Sequence, residues 1–405
     1  MTAKVKSLGD TVDASPYEYY EEVRAQGDLV WDDGINGWVA STYASVKEIF
    51  TDEDRFARPS PFDVAGEVGP LIFSPKHTSG LYGEEHMIHR KWWLGLFRPK
   101  SVEDYRERVM VPVIESALAR FEGRGTAELV GEYTSYISAR VIAGVLGLPW
   151  DNDPWMAEMA THLARIEHFK GTIYLKPDSV ETQKALDAVD AVNALMKPYM
   201  DEAKATDNGT MLSRLWRDEA LQGWTDAEVC GLARTFFGAG NDTTRTAMAN
   251  ALYLVFTTPG LREKLLAGDR KTMASFVEES LRLYGTVHFR ARRVLKDTEV
   301  QGCPVMKGDT IASVMSAGDR DEAQFPDASS VDLERPNQRM HLAFGAGIGA
   351  CAGMALARAE LLEGLLMILH RLPDIALDPD AEQPEMRGFL FKMMMPLNVT
   401  FSPVS

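Results

Sequence analysis

The chain has 405 residues, with 43 lysines and arginines against 59 aspartates and glutamates, giving a formal net charge of −16. That acidity argues against broad nucleic-acid binding, while 45% hydrophobic and 25% charged residues fit an ordinary globular protein with a sizeable core. Three cysteines, Cys230, Cys303 and Cys351, are too few and too scattered for a disulfide framework or a zinc cluster, and they fit a reducing compartment.

The first ten residues lack the apolar core of a signal peptide, and no apolar run reaches the roughly 18 residues of a membrane span. A cytoplasmic protein is therefore expected. The length would allow two or three domains, but no linker, repeat or low-complexity tract divides the chain.

In chain order, Pro16 opens a short amphipathic helix through Tyr17, Tyr20 and Val23, which Gly27 ends. Two strand-like runs, 28–31 and 37–41, flank turn-forming residues and read as a hairpin. Residues 57–83 are rich in Pro, Gly and Ser and form a long loop, a candidate substrate cover. Helical periodicity runs through 84–97, 101–122, 127–146, 153–168 and 179–205. Thr225 and Glu228 make a capping-box pattern ahead of a helix that extends to Thr257 and would span about 50 Å. Further helices are expected at 260–267, 271–284 and 352–371, with strands near 293–301 and 309–315. Residues 317–350 carry neither pattern, and a loop of that length marks a special task.

That loop ends in His341-Leu-Ala-Phe344-Gly345-Ala-Gly347-Ile-Gly349-Ala-Cys351-Ala-Gly353, ahead of a helix. The plainer reading is a glycine-rich turn around a structural cysteine. The chemical reading is a thiolate where a flat cofactor can approach the backbone, because glycines allow close approach and positive-φ turns. A cysteine just before a helix meets the positive end of the macrodipole, which favours the thiolate. Phe344 can shield the sulfur from water.

The pattern Phe-Gly-x-Gly-x-x-x-Cys-x-Gly resembles the haem-ligand signature of the cytochrome P450 family, and the likeness spans nearly the whole chain. The resemblance implies a mainly α fold with small β-sheets, as a single haem domain over residues 1–405. It also implies haem b with Cys351 as the metal ligand, and Phe344, Gly345 and Gly353 beside the cofactor. The family usually has histidine, sometimes arginine, two residues before the cysteine. Here that position is Gly349, so either a haem propionate is met from elsewhere or the site is rearranged.

The long helix contains Ala239-Gly240-Asn241-Asp242-Thr243-Thr244. An interior glycine costs about 1 kcal/mol against alanine, so Gly240 needs a reason. The resemblance makes Ala239 and Gly240 the wall of a groove for dioxygen beside the cofactor, and Asp242 and Thr243 the catalytic proton relay. Thr243 is also spaced to bond the Ala239 carbonyl and loosen the helix. Glu279 and Arg282 stand at i,i+3, and with Arg335 they match the family's structural anchor for the cysteine loop. His86 and Arg90 share a helical face and match a propionate-binding pair. Arg292 matches a further propionate arginine, with Arg293 one residue away, and His341 is another candidate. Family-matched pocket positions are the 57–83 loop, Phe169, Phe236, Phe237, Val287, His288, Phe289, Phe389 and Phe391.

The implied activity is that of a soluble bacterial monooxygenase. It would use O2 to hydroxylate or O-dealkylate a small apolar substrate, aromatic or terpenoid, with electrons from a ferredoxin and its NAD(P)H-dependent reductase. A monomer is expected, with no nucleic-acid or membrane partner. Arg98, Lys100, Arg106, Arg108 and Arg358 form a candidate docking surface for the acidic ferredoxin. The alternatives are a haem-thiolate gas or ligand binder and a peroxide-using enzyme, neither of which needs the Asp242–Thr243 pair.

Overall fold

The computed structural model describes residues 6–58, 69–73, 81, 83–172, 178–218 and 223–404. Helices dominate and the strands are short, the mainly α class expected from sequence. Most of the 57–83 loop lies outside the described residues, which there comprise 57, 58, the short helix Gly69–Phe73, 81 and 83. Among the described residues, no helix is long and apolar enough to cross a membrane.

The helices that position the site are α1 (Tyr17–Gln26), α2 (Tyr43–Thr51), α3 (Gly83–Leu96), α4 (Tyr136–Leu146), α5 (Asp153–Thr172), α6 (Ser179–Ala205), α7 (Asp226–Thr257), α8 (Arg270–Leu283) and α9 (Met354–Arg371). The chain gathers into two compact units. One comprises Met1–Pro59, Ile114–Ser135 and Thr243–Ser405, the other Ser60–Val113 and Tyr136–Asp242. The division at residue 242 falls inside α7, so no linker composition marks it.

The first unit holds every strand among the described residues. Strands β1 (Leu29–Asp32) and β2 (Gly37–Ala40) form the expected antiparallel hairpin, with Leu29 opposite Ala40. With β3 (Phe56–Ala57), β4 (Arg290–Val294) and β5 (Thr310–Ser313) they make a sheet in the order β1-β2-β5-β4-β3. The β2–β5 pairing is parallel, and β4 runs antiparallel to both neighbours. Alternation along β4 buries Arg292 and Val294 and exposes Arg293.

Under this sheet lies α2, a helix absent from the sequence expectations. Thr42 caps it by accepting from the Ser45 N–H. Val46, Ile49 and Phe50 share one face and pack with Phe56, Val294, Ile311, Phe325 and Leu342. Each such side chain contributes about 1.5–3 kcal/mol on burial. A second cluster unites Leu8, Tyr19, Tyr20 and Val23 with Val39, Ala312, Val314 and Ala317.

Among its described residues the second unit has helices joined by turns and no strand, with α5 packed along α6. The stretches expected as single helices over 101–122 and 127–146 are each interrupted. The first carries a wide π turn at Arg106–Met110. The second starts as strand Thr126–Glu128, paired with Asn398–Thr400, and passes through another π turn before α4. That strand's partner lies at the far end of the chain, where local periodicity carries no information.

Candidate active site

Cys351 ends a tight loop in the first unit. Its N–H donates to the Phe344 carbonyl at 2.8 Å, and Gly345 and Gly347 adopt φ of 72° and 68°. Gly347 is required twice, because a Cβ there would also lie 2.8 Å from the Phe50 carbonyl oxygen. The cysteine is exposed, and Gly353 caps α9 immediately after it. The thiol is thus accessible, short of a helix N-terminus, with the backbone folded close beneath it.

The loop is pinned from α8 by two adjacent glutamates. Glu279 binds Arg282 at 2.8 and 2.9 Å and Arg335 at 3.1 and 3.2 Å, with both ion pairs essentially sealed from solvent. The arginines spend their other nitrogens on carbonyls of Asp319, Pro326, Asp327, Ala328 and Ser330. This is the expected three-residue anchor. The sequence reading missed Glu278, which is buried beside it and accepts from Arg358 at 2.7 and 2.9 Å. Burial opposes ionisation of Glu278, but hydrogen bonds from His341 and Arg358 outweigh it and hold the carboxyl at about 2. Asp319 accepts from the Leu342 N–H at 2.6 Å, and burial pushes its own carboxyl well above the usual range.

His341 does different work from that expected. Its Nδ1 accepts from the Ala343 N–H at 3.2 Å, and its Nε2 meets Glu278 Oε2 at 3.1 Å. With both ring nitrogens engaged by protein, it anchors the loop and leaves no nitrogen for a propionate. Arg358 is likewise no solvated docking charge. Bound to Glu278, it lies 4.6 Å from the Phe344 ring, holding that ring over the start of the cysteine turn.

Arg292, not Arg293, faces inward. It is buried, and its guanidinium stacks 4.3 Å from the Phe50 ring, which itself lies against Gly345. An accessible thiol, a close-approaching glycine backbone and a buried arginine beside them fit haem bound through sulfur with a propionate nearby.

In the second unit, His86 is buried with its ring edge-on to Trp93, and Arg90 is half-buried one turn further along α3. Phe236 packs on Trp92 and Phe97, while Phe169 and Phe237 are buried and Ala239 is exposed. Gly240 has a packing reason that differs from the expected oxygen groove. A Cβ there would lie 2.9 Å from Ile142 of α4. Asp242 and Thr243 are half-buried at mid-helix, and Thr286 donates to the Thr243 carbonyl at 3.2 Å.

Of three further expected pocket residues, His288 is buried in the core, and Phe289 and Phe389 are partly buried against it. His288 is sealed against Tyr17 and Tyr20, with the Tyr20 hydroxyl 3.1 Å from its Nδ1, and burial drives its pKa well below the usual value. Phe289 and Phe389 stack edge to face at 5.1 Å on the N-terminal cluster. Val287 and the exposed Phe391 are joined by an isolated bridge and keep an accessible position. Of the expected docking charges, Arg106 and Arg108 pair with Glu103 and Asp104, whereas Arg98 and Lys100 are exposed.

The chain is 29% identical over 377 residues to the mycinamicin IV hydroxylase/epoxidase of Micromonospora griseorubida, covering 91% of this chain and 90% of that one. It is 28% identical to the cytochrome P450 monooxygenase PikC of Streptomyces venezuelae, with coverage of 92% and 87%. The crystal structure of CYP109E1 from Bacillus megaterium in complex with testosterone superposes with a TM-score of 0.82 at 22% identity, covering 96% and 99%. The cytochrome P450 family model matches residues 30–397, which takes in the β1–β2 hairpin, the acid–threonine helix and the cysteine loop together. A thiolate loop of this geometry, reached by a match of that length, makes the chain a member of the cytochrome P450 family, a haem-thiolate monooxygenase whose iron is carried by a cysteine.

Proposed function

We propose that the chain hydroxylates or O-dealkylates a small apolar substrate, aromatic or terpenoid. Dioxygen is the co-substrate, and electrons come from a ferredoxin and its NAD(P)H-dependent reductase. The whole chain acts as one monomeric haem domain in the cytoplasm. The observation that carries this reading is the Asp242–Thr243 pair, half-buried in the middle of an unbroken 32-residue helix. A gas carrier has no use for a carboxyl and a hydroxyl there.

When bound, haem supplies the oxidising chemistry at an iron held by the Cys351 thiolate. Asp242 takes protons from solvent, and the Thr243 hydroxyl passes them on to the reacting oxygen. Two turns upstream in the same helix, Phe236 packs on Trp92 and Phe97, and that aromatic cluster favours an apolar ligand over a polar one. Arg98 lines a surface groove with Lys91, Arg214 and Arg217, four cations against the two acids Asp207 and Asp218, and this local excess suits an acidic redox partner even on a chain of net charge −16.

The test is turnover of methoxylated aromatic acids and of bicyclic terpenoids with ferredoxin and reductase, monitoring NADPH, product and hydrogen peroxide. The wild type should couple NADPH to product. Thr243→Ala should bind substrate but divert electrons to peroxide, and Asp242→Asn should slow turnover roughly 10- to 10⁴-fold. Turnover with added peroxide alone, and none with ferredoxin, would refute the reading.

A further inference from the structure

Arg234 lies on α7, and its side chain is sealed inside the second unit, the residue being only 7% exposed. It donates to Asn193 Oδ1 of α6, and at 3.4 Å to the Leu71 carbonyl of the short helix Gly69–Phe73. Cys230, one turn earlier on α7, donates its thiol to the same Asn193 oxygen at 3.1 Å. Three helices of one unit thus meet at a single guanidinium.

All of these partners are neutral. A guanidinium stays charged at physiological pH and carries five N–H donors in a fork that a carboxylate engages two at a time. Among the described residues no carboxylate pairs with Arg234. Asp190, one turn before Asn193, is exposed and makes no ion pair with it. Cys230 does not supply the charge either, because burial pushes its thiol up and keeps it protonated. Burial also opposes the charge on Arg234, drawing its pKa below the usual arginine value. Other buried arginines are treated differently by the fold: Arg140 has Asp153 in the same unit, and Arg282 and Arg335 share Glu279 in the first. A buried cation faced only by dipoles is costly, and an anion entering beside it relieves that cost.

The place of this cation along α7 gives it a use. Two residues on, Phe236 packs on Trp92 and Phe97. Asp242 follows after eight residues, about 12 Å along the helix axis. A cation, an aromatic cluster and the acid–threonine pair therefore succeed one another on one helix. We propose that Arg234 is an anion subsite for the substrate, taking the carboxylate of an otherwise apolar acid while Asn193 holds the guanidinium in place. The inference rests on the monooxygenase reading above and narrows its substrate class to apolar molecules that carry a carboxylate.

The experiment titrates the holoprotein with para-methoxybenzoate, with the neutral para-methoxybenzamide and with methoxybenzene, following the Soret shift. The proteins are the wild type, Arg234→Gln, Arg234→Lys and Asn193→Asp. The wild type should bind the acid more tightly than the amide. Arg234→Gln should weaken acid binding roughly 30-fold or more, as expected for removing one partner of a buried charge pair, and leave the amide unchanged. Arg234→Lys should lie between, since it keeps the charge and loses the fork. Asn193→Asp sets a resident carboxylate against the guanidinium, so it should raise the melting temperature and weaken the acid alone. Equal losses of acid and amide in Arg234→Gln would mean a purely structural role and overturn the proposal. Acid binding untouched by Asn193→Asp overturns it too, and that variant decides the matter even where Arg234→Gln does not fold. Methoxybenzene separates the two levels of the argument. If it shifts the wild-type band and the acid does not, the anion subsite falls and the apolar pocket stands. If none of the three probes shifts the band, the substrate reading beneath the proposal falls with it.

Discussion

Glu278 joins α8 to both sides of the cysteine turn, through His341 before it and Arg358 after it. Its carboxyl is held at about 2, against 4.5 for an ordinary glutamate. Above about pH 4.5 the folded and unfolded carboxylates are both ionised, and the whole stabilisation is present. As pH falls, the unfolded chain binds the proton first, so the stabilisation drains away until the folded group protonates near 2. The linked free energy is on the order of 3 kcal/mol. Urea unfolding of Glu278→Gln should therefore fall well below the wild type at about pH 6, with the gap shrinking by about pH 3. A gap independent of pH would mean that the carboxylate charge does not hold the loop. Motif reading finds Glu279 through its i,i+3 arginine. It passes over Glu278 because the partners of that residue are 63 and 80 positions away. It likewise marks Cys351 by local pattern, whereas Arg292 comes only from the family resemblance with Arg293 left open, and the engagement of His341 by Glu278 emerges only in three dimensions.

Among the elements, α7 and α4 meet closely enough to explain an interior glycine. Gly240→Ala gains about 1 kcal/mol in helix propensity, but its methyl would lie 2.9 Å from Ile142 Cγ1, and overpacking of this kind costs about 1–3 kcal/mol. The substitution should thus destabilise the wild-type background and become neutral or stabilising beside Ile142→Ala, a coupling read from a double-mutant cycle in urea. Additive effects would exclude the packing account. Where elements obey local rules, their limits are legible. The periodicity of 179–205 gives the limits of α6, and the Thr225–Glu228 box closes as written, with the Glu228 N–H donating to Thr225 Oγ1 at 3.3 Å and the Thr225 N–H to Glu228 Oε2 at 2.8 Å. The helix α2 carries its own signal, a Thr42 cap and apolar residues at 46, 49 and 50, but in only nine residues. Strand Thr126–Glu128 has no local signal at all, since a partner near residue 400 defines it.

Across the whole molecule, the two ends of the first unit are stitched by one buried amine. Lys392 Nζ donates to the carbonyls of Thr11, Ala14 and Gly388, while Gly388 in turn accepts from the Asp13 N–H. Lys392→Met fills similar volume but leaves those buried carbonyls without their donor, a loss of about 1–3 kcal/mol for a neutral acceptor and more for several. The variant should melt lower and exchange amide hydrogens faster around residues 11–16. Unaltered exchange there would show that the N-terminal segment is held by its apolar contacts alone. The division of the chain into units was not legible from composition, because contacts and not linkers define it. The parallel pairing of β2 with β5, Trp38 beside Ile311, also has a consequence in time. A ribosome adding about 5–20 residues per second exposes the hairpin for tens of seconds before its partner strand is made. Throughout that interval one sheet edge stands open to any passing strand. The turn bearing Cys351 emerges later still, so the open edge exists for a time in which the cysteine loop has not yet been made.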